Sequence, residues 1–282
     1  MNFHKNQAEV AVFSAQTAAE ALAATTDFCI AAHHDDIEIM AYGAIAACYD
    51  DPNRIFTGVV VSDGAGSPRI GAYCDMTDEE MKTVRVEEQK AAARIGNYAA
   101  QVFLAFESCE IKDPSCKAVV DDIERLLLHS GADTVYTHNL ADKHDTHVAV
   151  ALRAIAALRR LPAEKRPKKV YSLEVWRGLD WLCDSDKAIL DTSAHPNIAA
   201  ALLGVFDSQI CGGKRYDAAA LGRRLANATF FESHAVDTSD SLSFGLDITE
   251  LVFDDNLSPL QFICKHIARF ENEVSDRINR LQ

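Results

Sequence analysis

Short runs of β-branched and aromatic residues alternate along this chain with longer, alanine-rich stretches whose apolar residues recur at helical spacing, and few architectures accommodate that alternation. Residues 28–32 (FCIAA), 55–62 (IFTGVVVS), 101–106 (QVFLAF), 133–138 (DTVYTH) and 169–176 (KVYSLEVW) predict strands. The stretches 8–24, 37–48, 78–95, 116–129 and 146–161 predict helices between and around them, and helical spacing returns at 197–209, 217–227 and 259–281. The second strand is almost continuously apolar, as a strand covered on both faces must be. The expectation is an α/β fold: a mostly parallel sheet between two layers of helices.

At 282 residues, 48% of them hydrophobic, the chain can bury roughly 70–75% of its extended surface. One domain over 1–282 is expected, with about 27–160 carrying the chemistry and about 161–282 completing the fold and the substrate pocket. The formal charge of −14 argues against nucleic acid as a partner, because phosphate binding requires a cationic footprint. No apolar run approaches the roughly 20 residues needed to span a bilayer, and the opening MNFHKNQAE lacks the apolar region of a signal peptide, so a cytoplasmic protein is expected. Eight cysteines without a CxxC pair read as buried thiols in a reducing compartment.

The chemistry concentrates in two segments, each directly after a predicted strand. The first is Ala32-His33-His34-Asp35-Asp36-Ile37-Glu38. Neighbouring carboxylates repel unless a positive charge lies beside them, and a divalent ion supplies one while accepting imidazole as a further ligand. A helix cap would use one aspartate and leave the rest unexplained. The second segment is His138-Asn139-Leu140-Ala141-Asp142-Lys143-His144-Asp145-Thr146-His147. On a first helical turn His144 and His147, three apart, share a face. If the strands at 28–32 and 133–138 are neighbours, the two segments converge. His33, Asp36 and His147 would then form a two-histidine, one-carboxylate set with an open position, the ligand count of a catalytic zinc, and Asp35 would remain to take a proton from bound water. Iron or another divalent ion suits the same donors.

These residues resemble the PIG-L (LmbE-like) family of zinc-dependent N-acetylglucosaminyl deacetylases, whose marks are an A-H-P-D-D-x-E segment and a later D-x-H-P-D-H segment; here they read AHHDDIE (32–38) and DKHDTH (142–147). The resemblance extends to VVSDGAG (60–66) and RVEE (85–88) and covers roughly 27–160. It implies a Rossmann-like three-layer αβα fold, zinc held by His33, Asp36 and His147, Asp35 as general base and His144 as the acid that serves the leaving amine. The reaction it implies is removal of an N-acetyl group from an N-acetylglucosamine-type sugar or conjugate by metal-activated water. Within the same chemistry the substrate could be a larger amide or thiol conjugate, and a carbohydrate-binding relative with weak turnover is the other alternative. A homo-oligomer is compatible with all three.

The chain departs from the family pattern at His34 (usually proline), Asp145 (proline) and Thr146 (aspartate). The last is the residue that orients the histidine corresponding to His144, and two outcomes are open: Asp145 compensates, or His144 is a weaker acid. Around the pocket, Arg69 is a candidate for gripping a substrate oxygen or phosphate and Asp63 for bonding a sugar hydroxyl. Trp176 and Trp181 are expected in packing, Arg85 and Glu88 as a local ion pair along a helix. Ser208-Gln209, His195 and Ser233-His234 receive no role.

Overall fold

The computed structural model describes residues 1–282. Its strands are β1 (Glu9–Val12), β2 (Asp27–Ala31), β3 (Phe56–Ser62), β4 (Ala100–Phe106), β5 (Thr134–His138), β6 (Lys169–Leu173), β7 (Lys187–Asp191) and β8 (Leu242–Asp247). The helices are α1 (Ala18–Ala24), α2 (Asp36–Met40), α3 (Tyr42–Asp50), α4 (Asp78–Ile95), α5 (Ser108–Lys112), α6 (Lys117–His129), α7 (Asp145–Arg160), α8 (Pro196–Gly204), α9 (Asp207–Ile210), α10 (Tyr216–Phe230), α11 (Thr249–Phe253) and α12 (Pro259–Leu281).

All eight strands join one sheet in the order β1-β4-β3-β2-β5-β6-β8-β7. The five central strands are mutually parallel, with β2 between β3 and β5: Asp27 lies opposite Phe56 on one side and Thr134 on the other. Antiparallel strands extend both edges, β1 against β4 and the β8–β7 pair against β6. Because successive strand residues face opposite sides, β2 feeds two apolar cores. Phe28 and Ile30 enter one with Val59, Val102, Ile123 and Leu158, while Cys29 and Ala31 enter the other with Val60, Ile45, Ala92 and Leu202. This is the expected three-layer αβα arrangement with a mostly parallel sheet. No helix is long and apolar enough to cross a membrane.

Several expectations are corrected. The stretch 8–24 is not one helix: Glu9–Val12 pairs with β4, and the helix begins only after Thr17, where a capping box joins Thr17 to Glu20. The stretch 37–48 breaks at Ala41, where the buried Arg224 guanidinium donates to the carbonyls of Glu38 and Ile39 and so takes up the end of α2. The fifth predicted strand stops at Leu173, because the chain turns beyond it: the Glu174 carboxylate accepts from the Leu179 amide (2.7 Å) and the Trp181 indole (3.0 Å). Strands β7 and β8 were not anticipated, and 197–209 holds two helices, α8 and α9. All eight thiols are free, but Cys74, Cys109, Cys211 and Cys264 are exposed rather than buried.

Candidate metal centre and active site

The chain leaves β2 towards β3 and β4 on one side of the sheet and passes through β5 and β6 on the other, so the order reverses between β2 and β5. At such a switch point the carboxyl ends of the strands open a crevice. Both histidine and aspartate segments lie there, after β2 and after β5, and strands 106 residues apart are tied directly: the Ala32 amide donates to His138 Nε2 at 2.8 Å.

The crevice brings together the donors of His33, Asp36 and His147. His33 Nδ1 is 3.1 Å from His147 Nε2 and 3.1 Å from Asp36 Oδ2, and His147 Nε2 is 3.3 Å from the same oxygen. A tetrahedral ion with bonds of about 2.0–2.1 Å sets its ligands about 3.3 Å apart, so the triangle fits such an ion. Its field fits as well. Burial works against a charge on His147, but Asp36 and Asp142 on either side outweigh it and push the imidazole up to about 10. Asp36, although buried, is held well below the usual carboxylate range by His147 and His33. A site that retains a proton so firmly favours a cation in its place. Two other sets, His33–His144–His147 and Asp36–His138–His147, also have their donors within 4.8 Å of one another. The second is chemically poorer, because the His138 Nε2 lone pair already accepts the Ala32 amide and burial lowers that ring to about 4.

Asp35 caps nothing: its side chain makes no bond to the start of α2, and its backbone takes the left-handed conformation (φ 84°, ψ −26°) that non-glycine residues rarely adopt. That turn aims the carboxylate at Arg85, whose Nη2 is 3.0 Å away and also donates to the His34 carbonyl. Gln89 on the same helix accepts from the Asp35 amide at 3.1 Å and passes the link to Glu38 and Tyr98. Burial raises Asp35 to about 6, with Arg85 offsetting part of the rise and Asp36 adding to it. A carboxylate in that range can exchange a proton near neutral pH. Glu38, more deeply enclosed, is raised to about 8.

His144 stands beside the triangle, its ring 5.0 Å from His33 and 4.6 Å from His147. Of the two outcomes left open, Asp145 does not compensate with its carboxylate. Asp145 is exposed on the first turn of α7, Thr146 is buried, and His144 Nδ1 is buried without a partner. Burial and the neighbouring His33 and His147 hold His144 below the ordinary histidine value. The carboxylate of this segment serves His147 instead: Asp142 Oδ2 is 3.3 Å from His147 Nδ1, while Oδ1 accepts the His144 amide at 3.0 Å. His34, in the usual proline position, packs its buried ring on Phe103 at 5.7 Å.

The crevice opens into a cleft of about 360 Å³. Asp63 lies on its wall, paired with Lys82 at 3.1 Å. Arg69 is not part of the wall; its guanidinium holds its own loop, donating to Asp78, Ala65 O and Met76 O. Trp176 does line the cleft, stacked parallel to His144 at 6.5 Å, whereas Trp181 packs on the larger core. Two contributors were missed in the sequence. Arg85 does more than pair with Glu88, and Ser208-Gln209 has a place: Glu88 accepts from the Ser208 amide and hydroxyl at 2.6 and 2.7 Å, which seats Gln209 at the cleft. An arginine spaced three residues from a glutamate signals only the local pair, so the link to Asp35 had no sequence signal.

Fold and site define an α/β protein with a cleft at its switch point able to hold a divalent ion. Residues 28–158 match the family model for PIG-L, described as GlcNAc-PI de-N-acetylase. Among solved structures, the chain resembles N,N'-diacetylchitobiose deacetylase from Pyrococcus horikoshii (14% identity, TM-score 0.64, covering 82% of this chain and 86% of that one). It also resembles the zinc inhibited form of teicoplanin deacetylase Orf2 (14%, 0.58, 79% and 97%). A third is GalB, the 4-carboxy-2-hydroxymuconate hydratase of Pseudomonas putida KT2440 (19%, 0.56, 79% and 96%). At such identities the likeness is one of fold, and the hydratase among them shows that the fold hosts more than one reaction. No curated protein matches the sequence.

Proposed function

We propose that the chain is a metal-dependent hydrolase that removes an N-acetyl group from an N-acetylglucosamine-type sugar or conjugate. The observation that carries this reading is the convergence of His33, Asp36 and His147 within 3.3 Å of one another, with Asp35 beside them and the cleft in front. The match to the PIG-L family model and the deacetylases of similar fold support the reaction class.

In this reading His33, Asp36 and His147 hold the ion, for which zinc is the first candidate and ferrous iron the second. Bound there, it supplies Lewis acidity towards a water and an amide carbonyl. Asp35, poised near 6 and steadied by Arg85, takes the proton from the attacking water. The new C–O bond forms at the carbonyl carbon, the C–N bond breaks, and the nitrogen leaves as a primary amine with acetate as the other product. His144 has no carboxylate to keep it charged, so it acts as a neutral imidazole whose Nε2–H, on the ring nitrogen not enclosed, steadies the developing oxyanion, and the proton that Asp35 took from water passes to the leaving amine. Asp63 on the cleft wall accepts from a sugar hydroxyl, while Arg69 shapes the loop beside it.

The test is release of primary amine from a panel of N-acetylglucosamine conjugates by protein stripped with a chelator and reloaded with zinc, ferrous or cobalt ion. Release is expected only from reloaded protein. No release from any conjugate with any of the three ions would overturn the proposal.

A further inference from the structure

The fold buries two arginines, Arg85 and Arg224, which are 2% and 3% exposed. Arg85 has its counter-charges in Asp35 at 3.0 Å and Glu88 at 3.2 Å. Arg224, on α10, has none. Its Nη2 donates to the carbonyls of Glu38 and Ile39, its guanidinium lies over the Tyr42 ring at 4.7 Å, and Nε and Nη1 are buried without a partner. Burial lowers its pKa to about 10, so it stays charged at neutral pH. Besides Tyr42, the group that acts on this charge is Glu38, whose carboxyl is raised to about 8 and is therefore neutral at pH 7. A buried charge that faces only dipoles and a ring is costly unless an opposite charge joins it.

Beside Arg224 is a cavity of about 30 Å³. Ile39 forms a wall common to this cavity and the cleft, so the two lie on opposite sides of α2. Several polar groups of the cavity wall are already spent. Asn227 donates to the Leu242 carbonyl at 3.1 Å, and Arg223 donates to the Val175 carbonyl at 2.6 Å. Glu174, the one carboxyl there, accepts from the Leu179 amide and the Trp181 indole, and burial raises it to about 7, so it is partly protonated at neutral pH. What remains to hold a ligand is the Arg224 guanidinium and the Ser243 hydroxyl on β8. Both are donors, and one carries the charge. A volume of this size admits about two water-sized spheres, which suits a halide or a formate and is too small for a larger acid.

We infer that this cavity binds a small monovalent anion, the size of chloride or formate, between Arg224 and Ser243. Arg224 closes the last turn of α2, whose first residue is Asp36, so the anion stands behind the helix that carries a candidate metal ligand. The site lies apart from the reacting centre and stands whether or not the chain cleaves amides.

The experiment follows melting of the full chain at equal ionic strength in sodium chloride, bromide, formate and gluconate, with Arg224→Met and Ser243→Leu alongside. The small anions should raise Tm by about 2 °C over the bulky gluconate at concentrations about tenfold above Kd, and the stronger of halide and formate names the preferred ligand. Both variants should lose that difference: the first removes the charge, and the second fills the cavity from β8 with a leucine. Should Arg224→Met not fold, Ser243→Leu carries the comparison. Crystals soaked in bromide should show an anomalous peak against the Arg224 guanidinium. Equal melting of the wild-type protein in all four salts, a difference that survives in Ser243→Leu, or no bromide beside Arg224 would each overturn the inference.

Discussion

Replacing Asp142 by asparagine tests how the second histidine segment is organised. The carboxylate sits 3.3 Å from His147 Nδ1, accepts the amides of His144 and Val175, and is 7% exposed. Burial pushes its pKa up, but the hydrogen bond and charge of His147 outweigh this and hold it at about 2 against an ordinary 3.8. Because the folded-state value is depressed, the associated stability is present above about pH 4 and is lost as pH falls through the folded value. The difference corresponds to about 2 kcal/mol, which at an unfolding entropy of about 2.1 cal/mol/K per residue lowers the melting temperature of this chain by roughly 3–4 °C at pH 7. Asparagine keeps an acceptor for the amides but removes the charge that holds the proximal imidazole, so metal affinity should fall about 10- to 100-fold. Melting of the metal-free protein and competition with a chromogenic chelator measure the two effects. Asp145→Asn, an exposed change one turn away, should leave metal affinity unaltered. If Asp142→Asn matches the wild-type protein in both assays, Asp142 does not organise His147 and the reasoning fails.

Other perturbations read out neighbouring parts of the site. Glu38 is raised to about 8, so the folded state holds a proton that the unfolded chain loses near 4.5, and stability should decline between pH 4.5 and 8 and level off above; Glu38→Gln should flatten that slope in urea titrations across this range. Gly64 adopts φ +79°, and a Cβ there would lie 3.1 Å from the His34 ring and 3.3 Å from the Arg85 side chain, so Gly64→Ala should cost about 1–3 kcal/mol by denaturant unfolding. Arg85→Lys keeps one charge but loses the fork spanning Asp35, Glu88 and the His34 carbonyl; kcat should fall at least about tenfold with metal content retained, and the acid limb of the rate profile should move to higher pH as Asp35 loses part of its counter-charge.

The parallel core was legible because β2 to β6 alternate with helices whose apolar spacing is unambiguous, and the site because both polar segments follow strands directly. What escaped the sequence had physical causes. The alternation Glu9-Val10-Ala11-Val12 is too short to stand out beside an alanine-rich helix, although the Thr17–Glu20 capping box carried the boundary. β7 and β8 form an antiparallel edge pair with mixed burial, and β8 contains Gly245, packed so closely on Leu173 that a Cβ would sit 2.9 Å away. The break at Ala41 depends on Arg224, 183 residues further on. Contacts between distant segments, such as Arg85 with Asp35 or Glu88 with Ser208, leave no periodicity in either.

The central claim, amide hydrolysis with Asp35 as base beside an ion on His33, Asp36 and His147, meets its most direct test in Asp35→Asn assayed together with its metal content. The account predicts one ion per chain in both proteins and a loss of amine release of about 10²- to 10⁴-fold in the variant. Undiminished release by an Asp35→Asn protein that retains its ion would contradict it.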